Sequence, residues 1–238
     1  VKKDFLKELL EKSEIYPTAE QLEKFAVFQE ELREWNQKFN LTAIEEEEEI
    51  IIKHFYDSLL GMKITGWQSR SRLLDLGTGA GFPGIPLKII NPDLQVTLVD
   101  SLQKRIGFLD HLIQKLQLTG TQAVHGRAEE MGQNKEYREK FDYVVSRAVA
   151  KLSVLSEYCL PFVKPGGKFL AYKGPEGLEE YNGAKKAIQE LGGNLYEMKD
   201  FVLPKQESKR LIIVIQKTAP TPGRFPRRPG IPAKKPLE

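Results

Sequence analysis

The segment Leu73-Leu74-Asp75-Leu76-Gly77-Thr78-Gly79-Ala80-Gly81-Phe82-Pro83-Gly84 constrains this chain more than any other. An apolar run, Arg72–Leu76, stops at three glycines in alternate positions. Glycine reaches positive φ freely and lets backbone approach a ligand closely. The segment therefore reads as a buried strand, a ligand-contacting turn and then a helix, the arrangement at the strand ends of open α/β sheets. The chain beyond it alternates in the same way. Strands are predicted at Leu94–Val99, Thr121–His125, Tyr143–Ser146 and Lys168–Lys173, and helices at Leu102–Leu118, Ser153–Leu160 and Leu178–Leu191. That spacing implies βαβ units and a mostly parallel sheet. Asn194–Leu203 and Arg210–Lys217 lie too close for a helical crossover and are predicted to form an antiparallel edge hairpin.

Before residue 70 the pattern is helical. Asp4–Glu14 is amphipathic, and Tyr16-Pro17 breaks it. Thr18 with Gln21 has capping-box spacing. Leu22, Phe25, Phe28, Leu32, Trp35 and Phe39 then recur at helical steps. A third helix is expected from Glu45–Glu49 to about Leu60, its acidic start matching the helix dipole. The expected organisation is a helical cap at 1–68, an α/β domain at 69–217 and an extended basic tail at 218–238.

Composition narrows the function classes. The 238 residues hold one cysteine, which excludes an intramolecular disulfide framework. No apolar stretch reaches membrane-spanning length, and the first residues lack a signal-peptide core. A cytoplasmic, monomeric protein is expected. Charge is split: residues 1–70 carry 10 Lys/Arg and 15 Asp/Glu, whereas 71–238 carry 26 and 18. A cationic second half suits a polyanionic partner.

Two ligands compete for the glycine turn. Gly79–Gly84 fits G-x-G-x-x-G, a dinucleotide fingerprint, which leaves an NAD(P)-dependent oxidoreductase as an alternative. Asp75, Gly77, Gly79 and Gly81 also resemble motif I of S-adenosylmethionine-dependent methyltransferases. Three features favour the methyl donor. Asp75 has no dinucleotide role but can reach the methionine ammonium. The dinucleotide reading puts Pro83 inside the phosphate turn. The terminal hairpin resembles the end of a methyltransferase sheet. Asp100, at the end of the second strand, can accept ribose hydroxyls, or it and Ser101 can cap the next helix. Arg127-Ala128-Glu129 follows the third strand and can border an adenine.

The fourth strand ends in Val145-Ser146-Arg147-Ala148-Val149, without the Asn- or Asp-Pro-Pro-aromatic motif of exocyclic-amine methyltransferases. Cys159 sits in apolar helix sequence and reads as core, against a thiolate-dependent reaction. His54, His111 and His125 show no metal spacing. A target needing neither deprotonation nor covalent activation fits best, and guanine N7 is one. Arg147 and Lys173, at strand ends, are assigned to phosphate, O6 or cofactor carboxylate, since a cation on N7 would block it.

Trp35-Asn36 with Asn40-Leu41-Thr42, His54–Ser58, the Gly77–Gly84 loop, Val99-Asp100-Ser101, Arg127–Glu129, Ser146–Ala150, Leu170–Gly174 and the tail Arg224–Pro236 together resemble the bacterial ribosomal RNA small subunit methyltransferase G family, also called glucose-inhibited division protein B. The resemblance spans nearly the whole chain. It implies a Rossmann-like class I methyltransferase sheet, mostly parallel with a terminal antiparallel hairpin, after N-terminal helices. It implies N7 methylation of a guanine in 16S ribosomal RNA, on RNA or the small subunit, without metal. It also implies S-adenosylmethionine contacts at Gly77, Phe82, Asp100, Ser101, Leu102, Ala128, Glu129 and Arg147, with Arg127, Arg147 and Lys173 needed for activity. Arg224, Arg227, Arg228, Lys234 and Lys235 are the expected RNA-binding tail residues. A non-catalytic RNA-binding assembly factor is the remaining alternative.

Overall fold

The structure, a computed structural model, describes residues 2–64, 66–205 and 208–237. The N-terminal helices are α1 (Lys3–Lys12), α2 (Ala19–Phe39) and α3 (Glu47–Ile50), followed by a π-helical turn (Ile51–Tyr56), α4 (Asp57–Leu59) and a 3₁₀ turn (Leu60–Lys63). The α/β region runs β1 (Arg72–Leu76), α5 (Gly84–Ile90), β2 (Gln95–Asp100), α6 (Gln103–Lys115), β3 (Thr121–His125), α7 (Ala128–Met131), β4 (Phe141–Arg147), α8 (Leu152–Cys159), β5 (Val163–Lys173), α9 (Gly177–Glu190), β6 (Gly193–Val202) and β7 (Lys209–Lys217), and α10 (Ile231–Lys234) lies in the tail. The strands form one sheet in the order β3-β2-β1-β4-β5-β7-β6. Pairing is parallel from β3 to β5, and β7 is antiparallel to both β5 and β6.

Period-two alternation sorts the strand residues onto two faces. Leu73, Val145, Leu170, Tyr172, Ile212 and Val214 pack with α5, α6 and the N-terminal helices. Leu74, Leu76, Val144, Phe169, Ala171, Ile213 and Ile215 pack with α8 and α9. The N-terminal helices thus complete one face of the sheet. α2 starts where the sequence places it: Thr18 N–H donates to Gln21 Oε1 at 2.8 Å, and Gln21 N–H to Thr18 Oγ1 at 3.2 Å.

Four expectations change. The third helix starts at Glu47 rather than Glu45, and its middle is π-helical. β5 starts at Val163, five residues before the expected Lys168, because Gly166 at φ +84° carries the chain through an irregular pairing with β4. Ser101 does not cap α6; the cap position is Leu102, whose N–H donates to the Asp100 carboxylate at 3.0 Å. The tail is not extended. Phe225, Pro226 and Pro232 are buried, and the Arg138 guanidinium donates to the carbonyls of Thr221, Pro222 and Phe225. Isolated anchors of this kind leave no periodicity to read. Its last residue, Glu238, lies outside the described residues.

Candidate active site

β1, β2 and β4 end at the same edge of the sheet, and two clefts open above them. The first, about 350 Å³, is lined by Gly77, Asp100, Ser101, Arg127, Ala128 and Glu129, with Leu76, Val99, Val149 and Tyr158. The second, about 580 Å³, is lined by Lys53, His54, Asp57, Arg147, Lys151, Lys173, Glu180 and Arg210 among others. Val149 borders both.

The glycine loop is built for close approach. Gly77, Gly79 and Gly81 have φ of +70°, +61° and +95°. A Cβ on Gly77 would stand 2.5 Å from Val149 Cγ2, whereas one on Gly79 would meet nothing within 4 Å. Gly81 instead packs on Ile85. Asp75 sits below this loop. Strand alternation turns it to the face under α5, where its Oδ2 accepts the Thr78 hydroxyl and the Gly84 N–H, each at 2.7 Å. It is wholly buried and does not line the first cleft, so it fastens the loop instead of reaching across the cleft. Burial pushes its carboxyl up to about 7 against the pull of those two bonds.

Asp100 faces the first cleft with most of its capacity in use. Oδ1 accepts the Leu102 N–H, and Oδ2 accepts the Gly79 N–H and Arg105 Nη1, all at 3.0 Å. A carboxylate has about four acceptor sites. One further hydroxyl fits, and a second requires Arg105 to move. Phe82 lies in neither cleft. It is stacked on Phe28 and His54, with the Arg147 guanidinium 5.2 Å from its ring centre. Leu102 is exposed at the start of α6, outside the first cleft's lining.

In the second cleft, Arg147 Nη1 donates to the Lys53 carbonyl at 2.9 Å and to Asp57 Oδ2 at 3.0 Å, and Nη2 lies 3.3 Å from His54 Nδ1. Arginine only donates, so Nδ1 is the acceptor and His54 Nε2–H donates to Thr42 Oγ1 at 2.9 Å. Burial and the neighbouring Arg147 hold His54 down at about 3, so it is neutral. Asp57, 2% exposed, also lies 3.2 Å from Arg210 Nε. Lys173, 8% exposed, donates to the Ala150 carbonyl at 2.6 Å and pairs with Glu180 Oε2 at 2.7 Å. The loop between the clefts carries Ala148 at φ +56°, a left-handed conformation disfavoured for any side chain.

The three expected activity residues are therefore divided: Arg127 lies in the first cleft, Arg147 and Lys173 in the second. Asp57, Arg210, His54, Glu180, Val149 and Tyr158 join them. The segment His54–Ser58 stands out in the sequence, but nothing there marks its π-helical turn. Among the described residues no group of acids, histidines and cysteine is arranged to hold a metal ion, and no helix is long and apolar enough to cross a membrane.

The family described as rRNA small subunit methyltransferase G (GidB) matches residues 21–211. The chain belongs to this family. Relatives named ribosomal RNA small subunit methyltransferase G include one from Alkaliphilus oremlandii, 49% identical over 99% of both chains. Another from Bacillus cereus is 51% identical over 97% of this chain and 96% of its own. Among solved structures, the YcgJ protein from Bacillus subtilis superposes with a TM-score of 0.55 at 14% identity, covering 70% of this chain and all of its own. TrmN from Thermus thermophilus gives 0.52 at 15% identity over 70% of this chain and 53% of its own. These two likenesses concern the fold, a class I methyltransferase sheet. The family match runs from α2 through the start of β7, so it includes both clefts and excludes the tail.

Proposed function

We propose that the chain transfers a methyl group from S-adenosylmethionine to N7 of a guanine in small-subunit ribosomal RNA. The meeting of two chemically different clefts at Val149 carries this reading. The first fits a nucleoside: a carboxylate at the end of β2, small residues along one wall, and a glycine loop whose Gly77 has no room for a side chain. S-adenosylmethionine, when bound, supplies a methyl group on a sulfonium that a free lone pair can attack. Asp100 would accept a ribose hydroxyl, and Ser101, Ala128 and Glu129 would border the adenine. Arg127 would face the same ligand from the cleft rim.

The second cleft fits the nucleotide target. Three of the five Arg147 N–H donors and two of the three Lys173 protons are committed within the protein. The donors left over would hold O6 or a phosphate and leave N7 open. N7 needs no base, which agrees with a neutral, fully engaged His54. Burial also pushes the Cys159 thiol well up, which disfavours a thiolate nucleophile. The positive charge passes from donor to base, so the residues chiefly align the two reactants. Residues 1–68 would act as a cap beside this cleft and 69–217 as the catalytic body. The exposed Arg224, Arg228, Lys234 and Lys235 would add phosphate contacts, and the site of action would be the cytoplasm.

The test is transfer of a labelled methyl group to isolated small subunits and to their naked RNA, followed by mass mapping. One N7-methylguanosine is expected. Absence of label in both would favour the assembly-factor reading, and binding of NADH without S-adenosylmethionine would favour the oxidoreductase.

A further inference from the structure

The tail is fastened to the wall of the first cleft. Arg227 surrounds Glu157 of α8: its backbone N–H and Nε donate to Oε1 at 2.8 and 2.9 Å, and Nε and Nη2 to Oε2 at 3.1 and 2.6 Å. Glu157 is wholly buried. A buried carboxylate without such a partner is costly, so this pair decides where the tail lies on α8. The next residue of α8, Tyr158, lines the cleft. Three residues past Arg227, the Gly230 N–H donates to Glu129 Oε1 at 3.0 Å. Glu129 lines the same cleft, and burial, with the nearby charge of Glu129, raises the Tyr158 phenol. Before Arg227 the segment is held by Arg138, by Gln133 donating to the Gly223 and Pro226 carbonyls, and by Thr221, which accepts from Lys217 Nζ at 2.7 Å. Arg227 is thus spent on the protein itself.

We infer that the C-terminal segment is a clamp on the methyl-donor cleft, in which Arg227 acting through Glu157, and Gly230 acting through Glu129, are positioning residues for the wall that borders the adenine. The inference rests on the assignment of S-adenosylmethionine to that cleft. Without the clamp, Glu129 loses its Gly230 contact and the turn of α8 that carries Tyr158 loses its tie to Arg227 at Glu157, and the ligand must order this wall on binding. The consequence is weaker donor binding with RNA affinity unchanged.

The experiment is calorimetric titration of S-adenosylmethionine into the full-length wild type and the variants Arg227→Ala, Glu157→Gln and their combination. A rise in Kd of about tenfold, equivalent to about 1.4 kcal/mol, is expected for each single variant. The double variant should be no weaker than the weaker single one, since both break one contact. Leu6→Ala, which empties a buried position in α1, is the stability control: it should melt lower yet keep the wild-type Kd. Linkage requires the reverse effect. Trypsin cleavage after the exposed Arg224, ahead of the buried Phe225, should slow when S-adenosylmethionine is added to the wild type. A wild-type Kd in Arg227→Ala, or a cleavage rate indifferent to the ligand, overturns the clamp. If Arg227→Ala does not fold, Arg227→Lys decides the matter: a raised Kd supports the clamp and a wild-type Kd overturns it. If the wild type itself binds no S-adenosylmethionine, the assignment of the cleft fails first and the clamp with it.

Discussion

Asp75 has two jobs that pull its ionisation in opposite directions. The Thr78 and Gly84 donors favour the carboxylate, and complete burial favours the acid; burial wins and leaves it at about 7 against an ordinary 3.8. Because the folded value is the higher one, its contribution to stability is full below 3.8 and is lost as pH rises through about 7. Asp75→Asn cannot titrate. The gap in urea midpoint between wild type and Asp75→Asn is therefore expected to move in favour of the variant from pH 5 to pH 8, roughly the span bracketing that value. A gap independent of pH would mean that Asp75 is ionised throughout. Arg147 is the other residue on which several contacts converge. Arg147→Ala leaves Asp57 buried with Arg210 alone, and should cost about 3 kcal/mol in urea unfolding, the low end for a broken buried pair because Arg210 remains. Arg147→Lys keeps the charge, but a single ammonium cannot serve Lys53, Asp57 and His54 at once. It is expected to lower kcat about tenfold or more, about 1.4 kcal/mol of barrier, with the S-adenosylmethionine Kd unchanged, because Arg147 lies in the second cleft.

Within the glycine loop, the elements distinguish positions that the motif treats alike. Gly77→Ala must hold φ at +70° and push Val149 away, while Gly79→Ala faces open space at φ +61°. Both pay about 1–2 kcal/mol for the left-handed conformation, but only the first disturbs the wall shared by the two clefts. Titration should show a loss of S-adenosylmethionine affinity at Gly77 that exceeds the loss at Gly79; equal losses would mean that Val149 yields freely. The loop, the seven strands and the Thr18 cap were all legible in the sequence because each depends on neighbours a few residues apart. Period two also explains why Asp75 does not line the first cleft: its place before the glycines suggests a ligand group, but Leu73 and Asp75 share the face that α5 covers. What could not be read is what depends on distant partners. The π-helical turn that brings His54 and Asp57 to Arg147 has no residue signature, Ala148 gives no sign of its positive φ, and the division of Arg127 from Arg147 and Lys173 depends on which strands are neighbours. The tail looked like a free basic arm because its anchors, Phe225 and the Arg227–Glu157 pair among them, lie at isolated positions and engage residues far away in the chain.

Across the whole molecule the same division of labour governs RNA binding. The net charge of +3 is too small to attract a polyanion by itself, so affinity must come from where the cations stand. Lys53, Arg147, Lys151, Lys173 and Arg210 ring the second cleft, but Arg147, Lys173 and Arg210 are already paired with Asp57 and Glu180. A paired cation releases fewer counterions on meeting a phosphate than an exposed one. Arg228, Lys234 and Lys235 are exposed on the tail, and Arg227 is bound to a buried carboxylate. Removing one phosphate contact lowers the slope of log K against log salt by about 0.7–0.9. The triple variant Arg228→Ala, Lys234→Ala, Lys235→Ala should therefore lose about 2–3 units of slope in a filter-binding series and leave S-adenosylmethionine affinity intact. Arg227→Ala should keep the wild-type salt slope while losing donor affinity. The two variants, adjacent in sequence, separate a tail that reaches for RNA from a tail that holds its own cleft in shape. If Arg227→Ala reduced the slope as its neighbours do, its guanidinium would have to leave Glu157 when RNA binds, and the tail would be a released arm and not a fixed clamp.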